Sequence, residues 1–200
     1  MIGKTVAAAL SLGLISAAPT LPPQTTISDL TAPSPFRGSF EVVPKVECGM
    51  SRGSGVRISD DIVITAAHVA TNGLCGIDGI PMALAYRPLG LDFVALRGAL
   101  GPGYRAIVSC EGILPGERYQ AFGYALGGKP NVEPLLGTNQ RGPDKTAMLR
   151  GKVYRGMSGG AVFNEGTGAV VAITVMLHKE ADWAYVVPLS ETYLCEGRDA

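Results

Sequence analysis

Residues 155–161 read RGMSGGA, a serine placed two residues after one glycine and directly before two more. Glycines packed around a single hydroxyl serve one of two ends. They let a surface turn adopt backbone conformations closed to other residues, or they clear space and expose backbone N–H groups around a nucleophile. The surroundings separate the two. Ala161–Asn164 (AVFN) is a short apolar run, Asn164-Glu165-Gly166-Thr167-Gly168 reads as a turn, and Ala169–Val175 (AVVAITV) is a second apolar run. Ser158 therefore stands at the entrance of an expected pair of β-strands.

Farther out the same texture continues. Gly55–Ser59 (GVRIS) alternates, Asp60-Asp61 supplies a turn, and Ile62–Thr65 (IVIT) returns, which predicts a hairpin that ends just before His68. Further strands are expected at Asp92–Leu96, Ala106–Cys110, Arg118–Tyr124, Thr146–Arg150 and Trp183–Val187, and only Leu189–Cys195 looks helical. With 27 Gly and 14 Pro in 200 residues, this pattern favours an all-β body, a barrel or a sandwich. Gly98–Gly103 (GALGPG) divides it into halves of similar size, about residues 39–100 and 101–200.

Lys4 precedes a charge-free run from Thr5 to Ala18, then Pro19. That run is short for a bilayer span and suits a signal peptide, residues 1–18, cleaved near Ala17 or Ala18; an uncleaved anchor or a buried N-terminal helix is the alternative. Residues 19–38 are Pro-, Ser- and Thr-rich and read as a strap ahead of the folded unit, 39–200. The expected location is secreted or periplasmic, with no stable membrane insertion after cleavage. Lys plus Arg and Asp plus Glu both number 17, which gives no electrostatic footprint for nucleic acid. The four cysteines, Cys48, Cys75, Cys110 and Cys195, allow three pairings. Cys48 with Cys75 and Cys110 with Cys195 is favoured, because the first would clamp the segment around His68. No close cysteine pair exists and there are only two histidines, so neither a metal nor another cofactor is expected.

Gly156-Met157-Ser158-Gly159-Gly160 fits two nucleophile signatures, G-x-S-x-G of the α/β-hydrolases and G-x-S-G-G of the trypsin-like peptidases. Chain order separates them. The first needs an acid and then a histidine after the serine on a parallel sheet; here His178 precedes Asp182 and Asp199, and no βαβ pattern is visible. The order His…Asp…Ser is present. Thr65-Ala66-Ala67-His68 resembles the histidine segment of the trypsin-like family, and Leu91-Asp92-Phe93-Val94-Ala95-Leu96 resembles the strand that carries its acid. The resemblance spans Ser51 to Pro188. The small size and Ala161-Val162-Phe163-Asn164-Glu165 look more like the bacterial glutamyl-endopeptidase and HtrA-type branches.

The resemblance implies a chymotrypsin-like fold of two packed six-stranded antiparallel β-barrels. It also implies a serine endopeptidase acting on polypeptides through an acyl-enzyme. Its residues would be Ser158 as nucleophile, His68 as general base and acid, Asp92 as the carboxylate behind the ring, and the Gly156 and Ser158 N–H groups as the oxyanion hole. Asp78, ten residues beyond His68, is a rival acid. Met157 departs from the digestive enzymes, which carry an acid there that pairs with a new N-terminus, so the oxyanion turn is held by other packing or forms only on binding a substrate or partner. Lys152, six residues before the nucleophile, falls at the family's pocket base, and His178 is a second candidate for recognising a carboxylate; a surface lysine is the plainer reading. The alternatives to a peptidase are a catalytically silent binding protein on the same fold and an esterase using the same triad.

Overall fold

The computed structural model describes residues 40–71, 73–126, 128–177 and 182–196. The segments read as signal peptide and strap, 1–18 and 19–38, lie outside the described residues, as does His178.

β1 (Lys45–Cys48), β2 (Ser51–Ser54), β3 (Val56–Arg57), β4 (Ile62–Thr65), β5 (Cys75–Ile77), β6 (Ile80–Tyr86) and β7 (Val94–Arg97) form one sheet in the order β2-β1-β5-β6-β7-β4-β3. Its two edges, β2 and β3, are separated in sequence by Gly55 alone, so the sheet comes round upon itself. The expected six-stranded barrel thus has seven strands because one is broken at Gly55. A Cβ there would press within 2.6 Å of Val63 and 2.9 Å of Val46, both core residues. β8 (Arg118–Ala125), β9 (Lys129–Arg141), β10 (Ala147–Arg150), β11 (Ala161–Asn164), β12 (Val170–Leu177) and β13 (Trp183–Pro188) close a six-stranded barrel in the order β10-β13-β12-β11-β8-β9. The fold is all-β and chymotrypsin-like.

The hairpin expected before His68 forms, with Val56 opposite Ile64 and Arg57 opposite Val63. Two expectations are corrected. Ala106–Cys110 is no strand: it is the extended connection between the lobes, and Val108 makes one isolated parallel bridge to Val170. It touches β3 through one bond, Ala106 N–H on the Arg57 carbonyl, and otherwise only Val170, and with Ile107 facing solvent it has no ladder to join. Leu189–Cys195 is no helix beyond one 3-10 turn, Leu189–Glu191. Thr192 directs both its N–H (3.0 Å) and its hydroxyl (2.7 Å) to the Leu189 carbonyl, which ends the turn.

The second barrel explains the continuous apolar runs. Tyr119, Ala121, Val162, Val171 and Ala184 point into the barrel interior, while Phe122, Ala161, Phe163, Val170 and Ile173 pack on the first lobe's core. Strands buried on both faces lose the alternation that normally marks them. Phe122 packs on Phe163 at 5.0 Å and on Phe40 at 5.1 Å, and such aromatic contacts add about 1 kcal/mol each beyond area burial.

Both favoured disulfides form, Cys48–Cys75 and Cys110–Cys195, closing segments separated by 27 and 85 residues. The second joins the inter-lobe connection to the chain's last described turn. Replacing Cys110 and Cys195 by Ala should lower unfolding free energy by about 4 kcal/mol in a denaturant titration. Replacing Cys48 and Cys75 should cost about 3 kcal/mol, following the shorter loop.

Candidate active site

β4 delivers His68. The strand is buried as far as Ala67, and the chain then tightens into a 3-10 turn, Val69–Thr71, with Val69 N–H on the Ala66 carbonyl and Ala70 N–H on the Ala67 carbonyl, both 3.1 Å. The turn throws His68 outward. Asp92 is held opposite, between buried Leu91 and Phe93 at the start of β7. Its Oδ1 accepts the His68 backbone N–H at 2.9 Å, and its Oδ2 lies 2.6 Å from His68 Nδ1. One carboxylate therefore grips both the ring and the backbone of the histidine. An ionised carboxylate only accepts, so Nδ1 carries the proton, and in the neutral ring Nε2 keeps its lone pair.

Burial pushes Asp92 up, but the hydrogen bonds from the His68 ring and backbone, the His68 charge and the Ala67 N–H more than offset this, leaving the carboxyl below its ordinary value. Asp78, the rival acid, sits instead at the tight turn between β5 and β6 with φ +50°.

Ser158 lies in a turn whose peptide planes are pinned one by one. The Arg155 carbonyl accepts Leu126 N–H (2.8 Å), the Gly156 carbonyl accepts the Ser54 hydroxyl (2.9 Å), and Met157 N–H donates to the Tyr154 carbonyl (3.0 Å). In a trans peptide the N–H points opposite to its C=O, so Gly156 N–H is turned away from Leu126. Among the described residues neither Gly156 N–H nor Ser158 N–H donates to a protein acceptor. Gly156 has φ +94°, and a Cβ would fall 2.5 Å from the Tyr124 carbonyl. A cavity of about 290 Å³, lined by Arg52, Gly53, Leu126 and Gly156 among others, opens beside it.

The two lobes meet backbone to backbone at this turn. Ser54 N–H donates to the Ser158 carbonyl at 2.8 Å, and Thr65 donates its hydroxyl to the Ser54 carbonyl at 2.6 Å. A Cβ on Gly53 would fall 2.8 Å from the Ser158 carbonyl and 2.7 Å from Val69, the residue after His68. The serine and histidine segments thus approach across the space of one missing methyl group. Gly159, at φ +83°, fits against the Thr65 hydroxyl and the Ser54 carbonyl with no room for a side chain. The Ser158 hydroxyl donates to the Val175 carbonyl at 3.3 Å, and no hydrogen bond joins it to His68 among the described residues.

Lys152 is 62% exposed and lies 3.4 Å from Asp182. Its charge also reaches Glu133, a carboxyl raised mainly by burial. Sequence reading overlooked Ser54 and Leu126. The signal for Ser54 was Gly53-Ser54-Gly55, a hydroxyl between glycines inside a strand, where glycine marks close backbone approach. Leu126 contributes only its N–H, which no side-chain pattern reveals.

No protein-family model matches the chain, and no curated protein matches it. Solved structures do. An inactive-form serine-to-alanine mutant of Rv3671c from M. tuberculosis H37Rv is similar at a TM-score of 0.64 and 20% identity, over 76% of this chain and 82% of that one. The serine endoprotease from Yersinia pestis gives a TM-score of 0.65 at 16% identity, over 84% of this chain and 64% of that one. The HtrA-type protease AlgW with a tripeptide gives 0.63 at 19% identity, over 74% and 56%. This chain spans less than two thirds of the latter two. At such identities the likeness is one of fold, the chymotrypsin-like fold of serine proteases.

A carboxyl whose folded pKa is lowered adds stability above its unfolded pKa, about 3.9, and that stability disappears as pH falls through the lower folded value. The gap in melting temperature between wild type and Asp92→Asn should shrink as pH falls below about pH 4. Gly159→Ala should lose about 2 kcal/mol or more, from a φ alanine resists and a collision with backbone.

Proposed function

We propose that the protein is an exported serine endopeptidase whose triad is His68, Asp92 and Ser158. The observation that carries the reading is the double grip of Asp92 on His68, a 2.6 Å contact to the ring and a 2.9 Å bond from the backbone. Nothing in ordinary β packing asks for a half-exposed histidine oriented in this way. It supplies what a serine hydroxyl lacks at neutral pH, a base in the right tautomer.

Catalysis would begin with rotation of the Ser158 side chain about χ1, from the Val175 carbonyl to another staggered well. The hydroxyl oxygen attacks the scissile carbonyl carbon, and Nε2 of His68 takes the proton. Asp92 stabilises the imidazolium that forms. The Gly156 and Ser158 N–H groups receive the oxyanion. Collapse of the tetrahedral species breaks the C–N bond, the amine leaves with the proton from His68, and water repeats the sequence on the acyl-enzyme. The end of β12 that runs past Ile173, its last partner on β11, would bind an extended peptide by β-addition. Two disulfides and the signal-like N-terminus support export. For an acidic substrate side chain Lys152 would first have to exchange Asp182, so the lysine is a weak determinant of specificity.

One observation favours the catalytically silent binder: the Ser158 hydroxyl rests on Val175 rather than on His68. A fluorophosphonate probe separates the readings. Wild type should be labelled and Ser158→Ala should not; folded wild type that stays unlabelled supports the binder. Peptide-library digestion separates a peptidase from an esterase, and Asp92→Asn should lower kcat by about four orders of magnitude.

A further inference from the structure

We infer that Ser54, a fully buried residue of the first lobe, is a positioning residue that holds the oxyanion turn of the second lobe in its donor-outward conformation. Its catalytic consequence rests on the peptidase reading above; its structural consequence does not.

All three of the residue's polar atoms are engaged, the N–H and the hydroxyl across the seam and the carbonyl within the first lobe. The backbone N–H holds the Ser158 carbonyl (2.8 Å) and the backbone carbonyl holds the Thr65 hydroxyl (2.6 Å). The side chain accepts Tyr124 N–H at 2.8 Å and reaches the Gly156 carbonyl at 2.9 Å. Direction follows from the partners. Tyr124 N–H can only donate, so it takes a lone pair, and the single hydroxyl proton goes to the Gly156 carbonyl. Tyr124 lies beyond the last β11 partner on β8, Phe122, so Ser54 stands where the next strand residue would have been.

Gly156 is the residue whose N–H faces the reaction, and glycine is the freest residue in the chain to turn. Two flanking peptide planes fix it. Arg155–Gly156 is held by Leu126 N–H on the Arg155 carbonyl, and Gly156–Met157 by Ser54 on the Gly156 carbonyl together with Met157 N–H on Tyr154. Without the Ser54 hydroxyl, one anchor of the second plane is gone and two polar groups are left unsatisfied. The stable response is for the Gly156–Met157 peptide to rotate toward water. Met157 occupies the place of the acid whose ion pair would otherwise fix this turn, so the hydroxyl has no charged substitute.

The test compares Ser54→Ala, Ser54→Cys and a core control, Leu149→Val, which loosens the second barrel's buried cluster, Met157 included, without removing a hydrogen bond from the turn. Amide hydrogen exchange reads the turn whether or not the protein turns over a substrate. In Ser54→Ala the Met157 amide should exchange about tenfold faster or more relative to the Ala121 and Val162 amides, with Ser54→Cys between it and wild type and Leu149→Val unchanged in that ratio. Met157 protection in Ser54→Ala that keeps its wild-type ratio overturns the inference. If Ser54→Ala does not fold, the same ratio in Ser54→Cys decides. On a fluorogenic peptide from the library digest, kcat should fall about tenfold or more with KM within about twofold, because the loss falls on the transition state. A rise in KM at unchanged kcat also overturns it. Wild type that resists fluorophosphonate while the exchange ratio shifts as expected leaves the anchor standing and removes the peptidase reading instead.

Discussion

The site depends on a seam where two backbones touch without side chains between them. Gly53 of β2 lies against the Ser158 carbonyl, and Gly159 and Gly160 lie against carbonyls of the first lobe and of β8. Close approach makes a short inter-lobe hydrogen bond possible, Ser54 N–H to Ser158 at 2.8 Å, and within the first lobe the Thr65 hydroxyl holds the Ser54 carbonyl at 2.6 Å. Each contributes about 1 kcal/mol net, but leaving either buried partner unsatisfied costs more. The lobes are thus fixed where the serine and histidine segments converge, while the larger aromatic contacts around Phe122 supply adhesion without registering the residues.

The barrel architecture serves the same registration. β9 carries Pro130 and Pro134, a residue type that removes a ladder donor, yet it runs the full length from Lys129 to Arg141. Pro130 faces Tyr124, whose N–H is directed to Ser54 rather than into the ladder, so this is a non-hydrogen-bonded pair. Pro134, facing Gln120, has the same parity. Each proline lacks a donor only where β8 asks for none, and the β10 ladder begins at Leu136. The arrangement frees the Tyr124 N–H for the first lobe.

These particulars explain what could be read in advance. Ser158, His68 and Asp92 were legible as candidates because chemistry-bearing residue types lay in a recognisable order between short strands, and the hairpin before His68 because an Asp-Asp turn separates two short runs rich in β-branched residues. β1, β2, β5 and β6 were not, since Glu47, Arg52 and the three-residue strand Cys75–Ile77 mix charge, glycine and small residues in strands that draw stability from pairing rather than from a pattern of their own. The second barrel's apolar runs were visible as strands, although burial on both faces hid which residues point inward. The tethers of the Ser158 turn were out of reach, because Leu126, Tyr124, Arg155 and Gly156 take part through backbone atoms that every residue shares.

The same turn shows how a serine site can be held without charge. Met157 is fully buried in the second barrel's core, and its carbonyl receives Gly160 N–H at 2.8 Å and the Thr174 hydroxyl. Its sulfur lies 3.4 Å from Tyr154 N–H and 3.7 Å from the Asn131 amide. An acid in this place would have to be paired on burial or incur a heavy desolvation cost; a thioether needs no counter-charge. None of the groups that hold the turn, Met157, Ser54, Thr174 and the backbones of Leu126 and Tyr154, ionises near neutral pH. A change of pH through the neutral range therefore leaves unchanged the charge of every group that holds the donors in place.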